Sequence, residues 1–368
     1  MAATAEQVAA TLRDAATGGR RLRIRGGGTK LGWGRPVQQD ADLGTGGLDG
    51  IVEHNEADLT AVLQAGVPLA RAQETFAAAG QMLAVDPPGD GATVGGVVAT
   101  ADSGPIRHRY NAVRDLVVGI RVALPDGTLA RAGGKVIKNV AGYDLPKLMS
   151  GAFGTLGVIV EVSVRLHPRP ESAVTVEGRA DDPTALVAGA STLAHLPLEA
   201  EALDLRWDGD EGAVLVQCTG SSSAERAAAA AAALERAGLQ ASTVEHDAAV
   251  WEAQRRGQRA RSAEEAVVRV STTPQGLAAV LAHRRPAVAR AALGLAWVTV
   301  PAEREAVLAL RAAVAPAPAV LLDAPEPLRS AVEPWGDPDP ALLDLMRRVK
   351  ARFDPHGTCN PGLFVGGL

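Results

Sequence analysis

The chain has 368 residues, 47% of them apolar and 21% charged, and a net charge of −5. That length accommodates two domains, and the weak negative charge excludes a field that recruits nucleic acid or an anionic membrane. Two isolated cysteines, Cys218 and Cys359, exclude a disulfide framework, and the seven scattered histidines show no metal-ligand spacing.

In chain order, "MAATAEQVAATLRDAATGG" predicts an amphipathic helix over residues 5–17. It has no apolar signal core and no stretch reaches membrane-spanning length, so a cytoplasmic chain without membrane insertion is expected. "RRLRIRG" predicts a strand. "LDGIVEHNEADLTAVLQAGVPLARAQETFAAAG" predicts strand, strand and helix, the helix opening near Pro68 and stopping at Gly80. "RDLVVGIRVALPDGTLARAGG" predicts a hairpin turning at Asp126-Gly127. "YDLPKLMSGAFGTLGVIVEVSVRLHP" predicts a short helix, a glycine-rich turn and a long strand closed by Pro168. Composition shifts near residue 170. Beyond it, "AVLVQC", "AERAAAAAAALERAGL", "ASTVEH", "EEAVVRVST", "GLAAVLAHRR", "GLAWVTV" and "REAVLALRAAV" set a strand and helix rhythm. The expectation is an α+β layer, an antiparallel sheet with helices on one side. The proline-rich residues 316–340 read as a connector, and the end as one helix and a proline-glycine tail.

Glycine clusters carry the chemistry. "RGGGTK", residues 25–30, and "DPPGDGATVGGVVATADSG", residues 86–104, each follow a strand-like segment. Both expose backbone amides that can cradle a phosphate. Neither is a P-loop: in "GGGTK" the order is wrong, and in "GGKVI" Val136 stands where the magnesium ligand belongs. "GDGATVGG" misses the dinucleotide fingerprint, with Val94 at the third glycine and Pro87-Pro88 interrupting the entry. No kinase-type catalytic Asp and Asn follow in context. The pair of turns is suited to a pyrophosphate gripped from two sides. A third cluster, "SGAFGTLGVIVEV", lets a flat ring or an adenine lie against backbone.

With "KNVAGYDLPKLMSGAFGTLGVI" and the terminal "FDPHGTCNPG", these clusters resemble, in order and spacing, the FAD-binding domain of the vanillyl-alcohol oxidase and p-cresol methylhydroxylase (PCMH) family. Within it, residues 1–170 and the last stretch of the chain most resemble the FAD-binding E subunit of bacterial glycolate oxidase. The resemblance implies a two-lobed PCMH-type FAD-binding domain over 1–170, an α+β cap over 171–335, and a segment 336–368 returning to the first domain. It implies non-covalent FAD, because covalent relatives place a histidine where this chain has Thr29. The implied cofactor residues are Arg25, Gly26, Gly27, Gly28, Thr29 and Lys30 on the first turn. Pro87, Thr93, Val94, Gly95, Gly96, Ala99 and Thr100 follow on the second. Gly154, Thr155, Gly157, Val158, Ile159 and the C-terminal Asn360 complete the set.

Oxidising a 2-hydroxy acid at a flavin also needs a cation for the carboxylate and a group that takes the hydroxyl proton. Arg255, Arg269, Lys135 and Lys138 are the candidate cations; His108, Tyr110 and Tyr143 are the candidate proton carriers. Arg255 with Arg256 reads equally as a solvated helix face, and Trp251 one turn earlier as core. The resemblance departs in the cap, which is short and lacks the metal-binding histidine pair and acid of relatives that oxidise D-2-hydroxy acids; His283 stands alone. An iron–sulfur cluster needs about four thiolates, more than this chain has. The implied picture is a subunit working beside a catalytic FAD subunit and an iron–sulfur subunit of a glycolate oxidase-type complex. The alternatives are a self-sufficient FAD oxidase or dehydrogenase of an alcohol, sugar or hydroxy acid, and a non-catalytic flavin-binding scaffold.

Overall fold

A computed structural model describes residues 4–134 and 143–368. The chain forms two compact units. The first gathers the described residues up to Ser103, from Ala112 to Arg169 and from Asp337 to Leu368; the second holds Gly104–Asn111 and Pro170–Gly336. The predicted Lys135 and Lys138 lie outside the described residues.

In the first unit the helix Ala5–Thr17 begins at a reciprocal cap. Thr4 Oγ1 accepts from Gln7 N and Gln7 Oε1 accepts from Thr4 N, both at 3.2 Å. Its apolar face, Val8, Leu12 and Ala15, packs on Leu22, Leu43, Val158 and Val160. Leu22–Arg25 pairs in parallel with Ala41–Gly44. A separate five-stranded antiparallel sheet runs Ile51–Asn55, Thr60–Gln64, Val158–Arg165, Val117–Ala123, Leu129–Gly133. The Asp126-Gly127 hairpin forms as expected: Asp126 Oδ1 accepts from Thr128 N at 2.8 Å and Gly127 takes φ +86°. The long strand ends at Arg165, before the expected Pro168. His167–Pro168 instead pairs with Gln81–Met82, where a proline at a sheet edge loses no ladder bond.

The second unit is built on an eight-stranded antiparallel sheet in the order Gln240–Val244, Ala173–Ala180, Gly212–Thr219, Ala202–Trp207, Ala287–Arg290, Leu295–Pro301, Glu265–Ser271, Ala319–Asp323. Helices Pro183–Ala194, Ser223–Arg236, Leu277–Leu281 and Arg304–Val314 cover one face through Leu186, Leu193, Leu234, Leu281, Val307 and Leu310. Two expectations are corrected here. Helices do not lie on one side only. Val214, Val216 and Cys218 join that core, while the alternate residues Ala213 and Leu215 pack on Trp251 of the helix Ala248–Arg256, across the sheet. The near-unbroken apolar run "AVLVQC" is what a strand covered on both faces requires. Nor is 316–340 a plain connector. Ala319–Asp323 is the edge strand beside Glu265–Ser271, and Glu326–Ala331 is a helix. Pro318 precedes the strand, and Pro325 and Pro327 sit at the helix start, where a missing N–H costs nothing.

Candidate cofactor site

The strand Leu22–Arg25 delivers the chain into the triple glycine, and the loop that follows Gln81–Met82 delivers it to Gly89–Thr93. The two bends touch. A Cβ on Gly26 would strike the Thr93 hydroxyl, and one on Gly27 would strike the Gly91 carbonyl oxygen. Gly28, Gly89 and Gly91 all take φ near +80°, which L side chains resist.

The free donors differ from the expected ones. Among the described residues, the amides of Gly26, Gly27, Gly28 and Thr29 donate to no other group of the chain, and neither do those of Gly89, Asp90 and Gly91. Those of Val94, Gly95 and Gly96 are already taken. Val94 N donates to Val67 O at 2.9 Å, Gly95 N to Ala65 O at 2.8 Å, and Gly96 N to Thr93 Oγ1 at 3.2 Å. Thr93 is the N-cap of the helix Val94–Thr100, and Gly95 allows that helix to lie against Ala65, whose Cβ would be 2.6 Å from an added methyl. The second bend therefore offers donors upstream of the residues that sequence reasoning chose. The alternating glycines of "GDG" were the available signal.

Side chains around the bends are turned to structural work. Lys30 pairs with Asp102 at 3.1 Å, both side chains nearly sealed from solvent. Arg25 pairs with Asp42 at 3.1 Å. Thr155 donates its hydroxyl to Ala152 O, and Val158 lies in the core with Ile159 buried beside it. Pro87 is buried, and Ala99 O accepts from Phe153 N at 2.8 Å, which docks the third glycine cluster on the helix Val94–Thr100. Thr100 closes that helix's last turn, its hydroxyl donating to Gly96 O.

Asn360 returns to this place, but as a clamp. Its Oδ1 accepts from Ile24 N and its Nδ2 donates to Phe153 O, both at 2.7 Å. The segment is held from behind by Lys350, which donates to Asp354 Oδ2, Thr155 O and Cys359 O, while Asp354 accepts from the amides of Thr358 and Cys359. Asn360→Ala leaves two part-buried backbone groups without these partners, at a cost of about 0.5–1.5 kcal/mol each. A lower melting temperature and faster flavin release are expected, and Asn360→Asp, which keeps the acceptor for Ile24 N, should recover part of both.

The remaining expected residues are placed as follows within their own units. Tyr143 is 91% exposed. In the second unit, Trp251 is core, its Nε1 donating to Thr175 Oγ1 at 2.8 Å. Arg255 bonds Glu252 on its own helix at 2.9 Å, and Arg256 does so at 2.7 Å. Arg269 stands opposite Trp297 in the sheet, and the Arg290 guanidinium lies 4.8 Å from the Trp297 ring centre. Tyr110 donates to Glu201 Oε2 at 3.2 Å; burial, together with that carboxylate, raises the phenol far above its usual range. Burial also pushes the Glu201 carboxyl up, against the pull of its hydrogen bond from Tyr110.

Residues 1–133 match the FAD binding domain family, and residues 337–363 match the C-terminal domain of FAD linked oxidases. Both matched stretches fall in the first unit save for residues 104–111. In these two stretches the chain is similar to FAD-linked oxidases. FAD is its cofactor, and two bends with free amides, the first without room for a Cβ at Gly26 or Gly27, fit a diphosphate. Glycolate oxidase subunit GlcE of Escherichia coli is 38% identical over 202 residues, 52% of this chain and 57% of GlcE. Glycolate oxidase subunit GlcD of Bacillus subtilis is 36% identical over 41% of this chain and 33% of its own. A mitochondrial cytochrome-linked D-lactate dehydrogenase of Saccharomyces cerevisiae is 30% identical over 43% and 27%. The chain thus spans little more than half the length of GlcE and less of the others. A solved alkyldihydroxyacetonephosphate synthase shares the fold, with a TM-score of 0.74 over 98% of this chain and 76% of its own at 14% identity. No helix among the described residues is long and apolar enough to cross a membrane.

Proposed function

We propose that the chain is the FAD-binding subunit of a glycolate oxidase-type complex that oxidises small 2-hydroxy acids. In this reading it works with a second FAD subunit and an iron–sulfur subunit, which take the electrons onward and set any membrane association. The observation that carries the reading is the double bend of free amides at Gly26–Thr29 and Gly89–Gly91, in a chain of which 202 residues are similar to GlcE. These amides hold the diphosphate without a cationic side chain, Lys30 being committed to Asp102. The turn at Gly154 and Gly157 gives backbone for the flat part of the cofactor to lie on. Thr29, whose hydroxyl accepts from Lys30 Nζ at 3.0 Å, leaves no imidazole for a covalent link, so the cofactor dissociates. The bound flavin supplies the two-electron acceptor; the chain's own part is to fix its position and exclude water from it.

The test is a spectrum. The purified chain should be yellow and lose its chromophore on acid or heat treatment. Glycolate should bleach the colour only when partner subunits are present. Bleaching of the lone chain would replace this reading with a self-sufficient dehydrogenase, and full complex activity without flavin on this chain would leave a scaffold.

A further inference from the structure

Residues 104–111 leave the first unit and fold into the second, where their short helix Arg107–Tyr110 meets the start of the strand Ala202–Trp207. Beside that helix is a partly open cavity of about 350 Å³, lined by His108, Arg109, Leu193, Leu196, Leu198 and Leu203, together with the exposed Ala194 and Glu199. Leu193, Leu198 and Leu203 are core residues, at most 3% exposed, so the inner wall is fixed and apolar. The polar groups converge on one side. Arg109 donates through Nη1 to Glu199 O at 2.5 Å and lies 3.8 Å from Glu201, which fixes its guanidinium. The Glu199 carboxylate is turned to Arg226 at 2.5 Å, which removes it as a competitor. His108 is half-buried, and its imidazole, unlike its backbone amide, which donates to Pro105 O at 3.1 Å, makes no hydrogen bond to any described residue; burial and the Arg109 charge both lower its imidazolium pKa, so near neutral pH it is an uncharged donor and acceptor.

We propose that this cavity binds a short aliphatic carboxylic acid, with its carboxylate on Arg109, an adjoining polar group on His108 and its tail on the leucines. A cavity with one apolar wall and a few convergent polar groups is the usual form of a small-molecule site. At about 30 Å³ per water the space equals roughly a dozen waters. Glycolate would leave the leucine wall wet, so the site selects a longer tail.

Isocaproate, which has no hydroxyl to oxidise, is titrated into the holoprotein by calorimetry and by methyl NMR. Saturable binding is expected, with shifts confined to Leu193, Leu196, Leu198 and Leu203. Arg109→Gln should weaken it by about tenfold or more, as loss of a charge-assisted pair does. Ala194→Trp, placed on an exposed rim position, should abolish it while flavin content and melting temperature stay as in the parent. Any of three results overturns the proposal: no saturable binding, equal affinity in both variants, or isohexanol binding as tightly as isocaproate.

Discussion

Gly27→Val should yield a folded but colourless protein. The added Cβ is directed at the Gly91 carbonyl oxygen, which is backbone and has no rotamer to yield. The two bends must part, and the free amides of Gly26–Thr29 and Gly89–Gly91 no longer converge. Each lost charge-assisted hydrogen bond contributes about 1.5–3 kcal/mol, so loss of two weakens FAD by about a hundredfold or more. The measurement is FAD stoichiometry after gel filtration, with far-ultraviolet circular dichroism to show the fold. Gly80→Ala is the control. It sits at φ +69° with nothing within 4 Å of its Cβ, so it should cost about 1–2 kcal/mol of backbone strain and keep its flavin. A yellow Gly27→Val protein with parental FAD content would remove the diphosphate from these bends.

Arg290→Met should destabilise the second unit more than any surface substitution. Arg290 and Asp204 are both fully buried, with Nη1 to Oδ2 at 2.6 Å. Gln254 Nε2 donates to the same oxygen at 2.9 Å. Burial pushes the Asp204 carboxyl above its ordinary range, and Arg290 pulls the other way. Removing the cation leaves a buried carboxylate without its counter-charge, a loss of about 3–5 kcal/mol. Urea unfolding of the full chain should show this as an earlier transition. Adding Asp204→Leu should return stability to within about 1 kcal/mol of the parent, since an apolar pair of similar volume replaces a buried ion pair at little cost. If Arg290→Met alone unfolds within about 1 kcal/mol of the parent, the pair is not a keystone of the sheet.

Local chemistry wrote much of this fold into the sequence. Asp126-Gly127 names its own hairpin, Thr4 and Gln7 cap the first helix, and three consecutive glycines announce a backbone that something must approach. What could not be read was which donors survive folding. Val94 and Gly95 look as available as Gly89 and Gly91 until Val67 O and Ala65 O arrive from elsewhere in the chain. The same holds for side chains. Asn360 carries the right chemistry to meet a cofactor, yet Ile24 and Phe153, distant in sequence, take both ends of its amide. Prolines misled in the opposite sense: Pro318 and Pro325 flank regular elements, and Pro327 sits in a helix's first turn, where a connector was expected. The buried Arg290 and Asp204 sit in ordinary strand patterns, and only the register that sets them opposite each other reveals the pair.

The path of the backbone has a practical consequence. Gly104–Asn111 belongs to the second unit although it lies within the stretch that encodes the first, and Asp337–Leu368 goes back to the first after the second is complete. Neither unit is therefore a continuous cassette that can be cut out at residue 170 and expressed alone. A fragment ending there would keep Tyr110 but lack Glu201, and would keep Ile24 but lack Asn360. Recombination between relatives would have to exchange both units together, or carry these interleaved pieces with them.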